Sequence, residues 1–324
     1  HSKSDIMIEI LLKNKELLKM KRTSEIPIAN LDFHFMQFVD YSDSELNWLT
    51  EKYSLDFTIM KNFEDIEISS HFLENDNQAS FHFSIPYLNK DKKMVEEPVF
   101  IIVSSVGLFL FSSSEIDDFF NETYSNKVKS IQNISNTENI FMFQFEFISD
   151  YFADITENLT KKIKVLANRI LLDKEFSNEE LDVITKHNFS NLLIKEALLE
   201  TTRVFNLYMK SNWEQKTGIK ESIQVELNDL SAVSDYIQFN FDRLDDLKEN
   251  VSNKIDLEQN HIFKMLTVVT VCISLPTFIA GVYGMNFDKM PELKSPYGYP
   301  IVIILMILSA LLPFIYFKRK KWLK

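Results

Sequence analysis

The sequence predicts a mixed α/β domain, then one long helix, then two C-terminal membrane-spanning helices. Three observations carry this reading. Short β-rich runs are confined to the first third of the chain, an apolar stripe of helical period starts at Ile219, and two uncharged stretches of nineteen residues each cover 265–283 and 299–317.

The elements follow in order. Residues 1–6 precede Met7 and carry no assigned role, as a remnant or a native N-terminus; a cytoplasmic α/β domain with a helical hairpin is expected over 7–218. Within it, residues 6–12, 79–88, 98–103 and 107–111 read as strands, with a helix over 42–53. From Ser112 the pattern turns helical. Ser114 is placed to cap one helix, residues 139–174 form a second, and Ser177 opens a third with Glu180 at capping-box spacing. The last break is Lys216-Thr217-Gly218. Beyond it, Ile219, Ile223, Leu227, Leu230, Val233, Ile237, Phe241, Leu244, Leu247, Val251 and Ile255 recur every 3.6 residues. With no Pro or Gly before Pro276, this stalk (219–262) is expected to run unbroken into the first span (263–283) as a helix reaching Asn286, roughly 100 Å long.

Each uncharged stretch approaches the ~20 residues that cross a bilayer, and both lie far from the N-terminus. Lys318, Arg319, Lys320, Lys321 and Lys324 follow the second span (299–317) directly, whereas the outer loop (284–298) balances Lys289 and Lys294 against Asp288 and Glu292. By the positive-inside rule the tail (318–324) is cytoplasmic, and two spans return the large domain to that side. A plasma membrane, with both termini inside, is the expected location. From Gln259 onward there are eight Lys or Arg against two acids, which leaves −18 on residues 1–258 of a chain whose net charge is −12. Between Glu221 and Glu258, ten acids face three bases; copies packed about an axis would crowd these carboxylates, and divalent cations would relieve the repulsion.

Other chemistry is excluded. Only five Gly and no Gly-x-x-x-x-Gly-Lys run leave no P-loop, so no nucleotide partner is expected; the net charge argues against nucleic acid. Cys272 stands alone, which excludes an intramolecular disulfide. His34, His71, His82, His187 and His261 have no metal-ligand spacing, and no enzyme activity is assigned.

Between the spans stands Tyr283-Gly284-Met285-Asn286-Phe287, followed by Met290-Pro291-Glu292-Leu293 and by Gly298-Tyr299-Pro300; the chain closes on Lys321-Trp322-Leu323-Lys324. This combination resembles the CorA family of magnesium transporters, clearly over residues 260–324 and in layout over the rest. The resemblance implies a homopentameric channel in the lipid bilayer, with a funnel-shaped cytoplasmic domain, a pore-lining first span and an outer second span. It implies Mg2+ as the transported and regulatory ion, with Co2+ or Ni2+ as further cargo. Zn2+ transport within the same superfamily and a membrane-anchored sensor or scaffold are the alternatives; Met290 to Leu293 favour the magnesium branch.

The expected selectivity filter is Gly284, Met285 and Asn286, with Glu292 in the outer loop. A ring of Asn286 amides can hydrogen-bond a hydrated ion without stripping its inner shell, and Asn286 is suited to cap the helix there. Thr277, Ser274, Thr270, Leu266, Phe263 and Asn260 fall at steps of three and four on one face, read as pore-lining, with Leu266 and Phe263 as the gate. The family commonly has Pro one position before Pro276, so this chain departs at Ser274-Leu275-Pro276. Phe63-Glu64-Asp65-Ile66 resembles the family's regulatory Glu-Asp pair. Its stalk partner falls at Val225, a residue that cannot ligate, and Glu226 and Asp229 are the nearest substitutes. Lys318, Arg319, Lys320 and Lys321 are expected as a basic ring at the inner mouth.

Overall fold

A computed structural model of the 324-residue chain describes residues 8–26, 31–61, 71–116, 136–173, 176–286 and 290–322. It separates into two compact units, one of His1–Asp173 with Asp182–Leu247 and one of Lys174–Leu181 with Lys248–Lys324.

The first unit is built on a seven-stranded sheet. Its strands are β1 (Ile8–Leu12), β2 (Leu17–Met20), β3 (Phe33–Val39), β4 (Phe72–Glu74), β5 (Gln78–Leu88), β6 (Met94–Ser104) and β7 (Leu108–Ser112), in the order β2-β1-β3-β7-β6-β5-β4. All neighbours are antiparallel except β3 and β7. The four expected strands are present. The reading had no counterpart for β2, β3 and β4. β3 is buried on both faces, so Phe33-His34-Phe35-Met36-Gln37-Phe38 shows no alternation to read. β6 starts at Met94, earlier than expected, and runs through Pro98. Because β7 pairs only Phe100–Val103, Pro98 sits where one side of β6 has no ladder to lose.

The alternation of side chains gives this sheet two cores. On one face Ile8, Ile10, Met36, Phe38, Phe100, Ile102, Phe109 and Phe111 pack with Leu49 of α1 (Asp43–Tyr53) and with Ile59. A capping box starts α1: the Ser42 N–H donates to Glu45 Oε2 at 2.8 Å. On the other face Phe81 meets Phe141 and Phe145 of α2 (Thr137–Leu171) and Tyr208 at the end of α3 (Asn178–Tyr208), at centroid distances of 5.3–5.8 Å. α2 begins two residues before its expected start, because the Asn136 side chain caps it by accepting from the Glu138 N–H at 2.7 Å. The helix expected after Ser114 lies outside the described residues.

A short α4 (Asn212–Thr217) ties the helices back to the sheet, its Trp213 indole donating to the Asn75 carbonyl at 2.7 Å. Gly218 ends α4 at φ +67°, a conformation that favours glycine, and α5 (Lys220–Tyr283) follows. Ile223, Leu230, Ile237 and Leu244 on the predicted stripe are each 0–1% exposed. A buried polar chain fixes the register of three helices: Asn240 of α5 donates to Thr160 Oγ1 of α2 at 3.0 Å, and Asn191 of α3 donates to the Ile237 carbonyl at 2.9 Å.

The second unit contains the start of α3, where Ser177 bonds Glu180 at the expected spacing, the remainder of α5, and α6 (Gly298–Arg319). α5 ends at Tyr283, three residues short of the expected Asn286. The Gly284 N–H still reaches the Ala280 carbonyl at 2.9 Å, but the Met285 N–H turns to the Val282 carbonyl, three residues back. Asn286 therefore lies past the end and caps nothing among the described residues.

Candidate functional site

Among the described residues, the two helices long and apolar enough to cross a membrane are α5, over its C-terminal part, and α6. Their side chains lie outside any core: from Asn260 to Val282 the one residue that is buried is Val268. Asn260, Phe263, Leu266, Thr270, Ser274 and Thr277 are all exposed and share an arc of about 120° on the helix. The Thr270 and Thr277 hydroxyls donate to the carbonyls of Leu266 and Ile273 at 2.8 Å, and Ser274 bonds the Val271 carbonyl at 3.3 Å. A hydroxyl that spends its one proton on its own helix presents its lone pairs outward, as an acceptor for water or a cation's hydration shell.

Gly284, Met285 and Asn286 follow directly, all exposed. A Cβ on Gly284 would stand 3.1 Å from the Ala280 carbonyl oxygen, so glycine there lets the chain turn tightly off the helix. Glu292 lies in the one-turn 3-10 segment Pro291–Lys294. Lys318 and Arg319 occupy the last turn of α6, where cations complement the helix dipole, and Lys320 and Lys321 continue past it. The Trp322 ring folds back to 5.0 Å from Phe317.

Glu64 and Asp65 lie outside the described residues. Their expected partners separate: Asp229 is exposed, as is Val225, while Glu226 is only 9% exposed and bonds Ser149 of α2 in its own chain. Burial raises the Glu226 carboxyl above its ordinary range; the Ser149 bond opposes this, and Asp229, Glu146 and Asp150 add to it. An open cavity of about 530 Å3, lined by Asp150, Thr156, Asp229 and Tyr236, runs between α2 and α5. Sequence reasoning missed Glu146, Ser149 and Asp150, which are more than 75 positions from Glu226 and carry no local mark. Among the described residues no three His, Cys, Asp or Glu side chains converge as a closed metal site. The described residues of one chain thus supply an acidic surface but no complete ligand set.

Three further titratable residues are held in unusual settings. The Nδ1 atoms of His71 and His82 meet at 2.9 Å, with His82 held down to about 3 by burial and by His71. Glu96 on β6 is pushed up to about 7 by burial, Glu200 and Glu196.

Known proteins share this layout. The family profile described as "CorA-like Mg2+ transporter protein" matches residues 30–319. The magnesium transport protein CorA of Wolinella succinogenes is 28% identical over 323 residues, covering 98% of this chain and 100% of that protein. CorA of Campylobacter jejuni strain RM1221 is 30% identical over 329 residues with the same coverage, and that of Escherichia coli K12 is 27% identical over 315 residues, covering 96% and 98%. Among solved structures, the complete CorA magnesium transporter of Methanocaldococcus jannaschii superposes with a TM-score of 0.77 at 17% identity, covering 98% of this chain and 99% of that one. The cytoplasmic domain of ZntB from Vibrio parahaemolyticus reaches 0.58 at 10% identity, covering 78% and 98%; at these identities the structures speak to the fold alone. Matched over nearly its whole length, the chain belongs to the CorA-like Mg2+ transporter family, a family of ion transporters and not of enzymes.

Proposed function

We propose that this chain forms a homopentameric, channel-like pathway for Mg2+ across the plasma membrane, with both termini cytoplasmic and influx driven by the membrane potential. The observation that carries the reading is the exposed stripe of α5, hydroxyl-bearing at Thr270, Ser274 and Thr277, leading to Gly284-Met285-Asn286 just past the helix end. Residues 263–283 line the pore, 284–298 form the outer loop, 299–317 make the outer span, and Lys318 to Lys321 lie at the inner mouth. Mg2+ holds its water tightly, so amide and hydroxyl oxygens that accept from its hydration shell suit passage better than carboxylates. Rings of Leu266 and Phe263 close the pore by dewetting. A dication entering an interior-negative compartment gains about 4.6 kcal/mol per 100 mV, twice the value for one charge. Co2+ and Ni2+ are further cargo of the same site.

Assembly from copies is supported by a second stripe on α5. Val225, Ala232, Tyr236 and Phe239 recur at heptad spacing on the face opposite the buried one, and Val225, Tyr236 and Phe239 are 56–64% exposed. Apolar residues on a 3.5 period within an acidic helix suit neighbouring copies of that helix. Regulation follows from the same acidity: interior Mg2+ bridges Asp229, beside Glu226, to Glu64 and Asp65 of a neighbour and keeps the pore closed. When Mg2+ falls, carboxylate repulsion loosens the ring.

The test is Mg2+ uptake into proteoliposomes at a clamped interior-negative potential. Oriented flux that collapses in Asn286→Ala is expected; equal flux in both proteins rejects the filter, and no flux in either, with oligomers intact, rejects Mg2+ conduction. Neutralising Glu64 and Asp65 together should weaken inhibition by interior Mg2+, and unchanged inhibition removes them from the sensor.

A further inference from the structure

We draw no further inference here: the strongest candidate, the open cavity of about 530 Å3 between α2 and α5, is lined by Asp150 and Asp229 and so belongs to the acidic site already described.

Discussion

The two halves of α5 treat their apolar residues oppositely. Between Ile219 and Leu247 the apolar stripe is buried against the chain's own helices, whereas from Asn260 to Val282 nearly every apolar side chain is left exposed. The first half satisfies the hydrophobic effect within one chain. The second cannot, and its side chains require lipid or copies of the chain. Burial within a single chain therefore separates what folds the molecule from what is left to face its surroundings.

Substitutions can break this comparison, beginning with the largest. Phe81 is fully buried and touches five aromatic rings. Phe81→Ala should destabilise the first unit by about 3–5 kcal/mol, read as a lower chemical-denaturation midpoint. Ile273→Ala, at a residue 61% exposed, should leave that midpoint within about 0.5 kcal/mol. Equal losses at the two sites would mean that the spans are coupled to the core.

Asn240→Leu comes next. It takes the Asn240 donor from Asn191 Oδ1 and from Thr160 Oγ1, whose hydroxyl keeps its bond to the Thr156 carbonyl, and a loss of about 1–3 kcal/mol is expected in the same measurement. An unchanged midpoint would show that the polar chain adds no stability to the bundle.

The Glu96 carboxyl titrates near 7 in the folded chain and near 4.5 unfolded, so the folded state holds the extra proton between those values. Its contribution to stability is complete below about pH 4.5 and is lost as pH rises through about 7. Unfolding midpoints taken from pH 5.5 to 8 should fall with pH in the unmodified protein and fall less in Glu96→Gln; parallel curves would assign the dependence elsewhere. The smallest effect is expected at the exposed Lys19–Glu9 ion pair, 2.6 Å long. There Lys19→Ala should change stability by under about 1 kcal/mol, and high salt should erase the difference.

Much of this architecture is legible in the sequence because its signals are local. Ser177 and Glu180 announce a capping box three residues apart, and the stripe beginning at Ile219 needs only a period. The candidate site divides along the same line. Gly284-Met285-Asn286 and the polar face of the first span are contiguous or periodic, so they could be named in advance. The burial of Glu226 on Ser149 could not, since nothing near position 226 marks a residue of α2. His71 and His82 likewise lack ligand spacing, and only the pairing of β4 with β5 brings their rings together.

By itself the sequence determined the two spans, the long helix, the acidic domain and the basic tail, because hydropathy, helical period and charge add up residue by residue along the chain. The tertiary structure alone decided the parallel pairing of β3 with β7, the partner of Glu226, and the register lock of Thr160, Asn191 and Asn240. These join groups that are distant in sequence, 80 positions apart for Thr160 and Asn240. Which distant groups meet depends on how the whole core packs, and no local pattern encodes that.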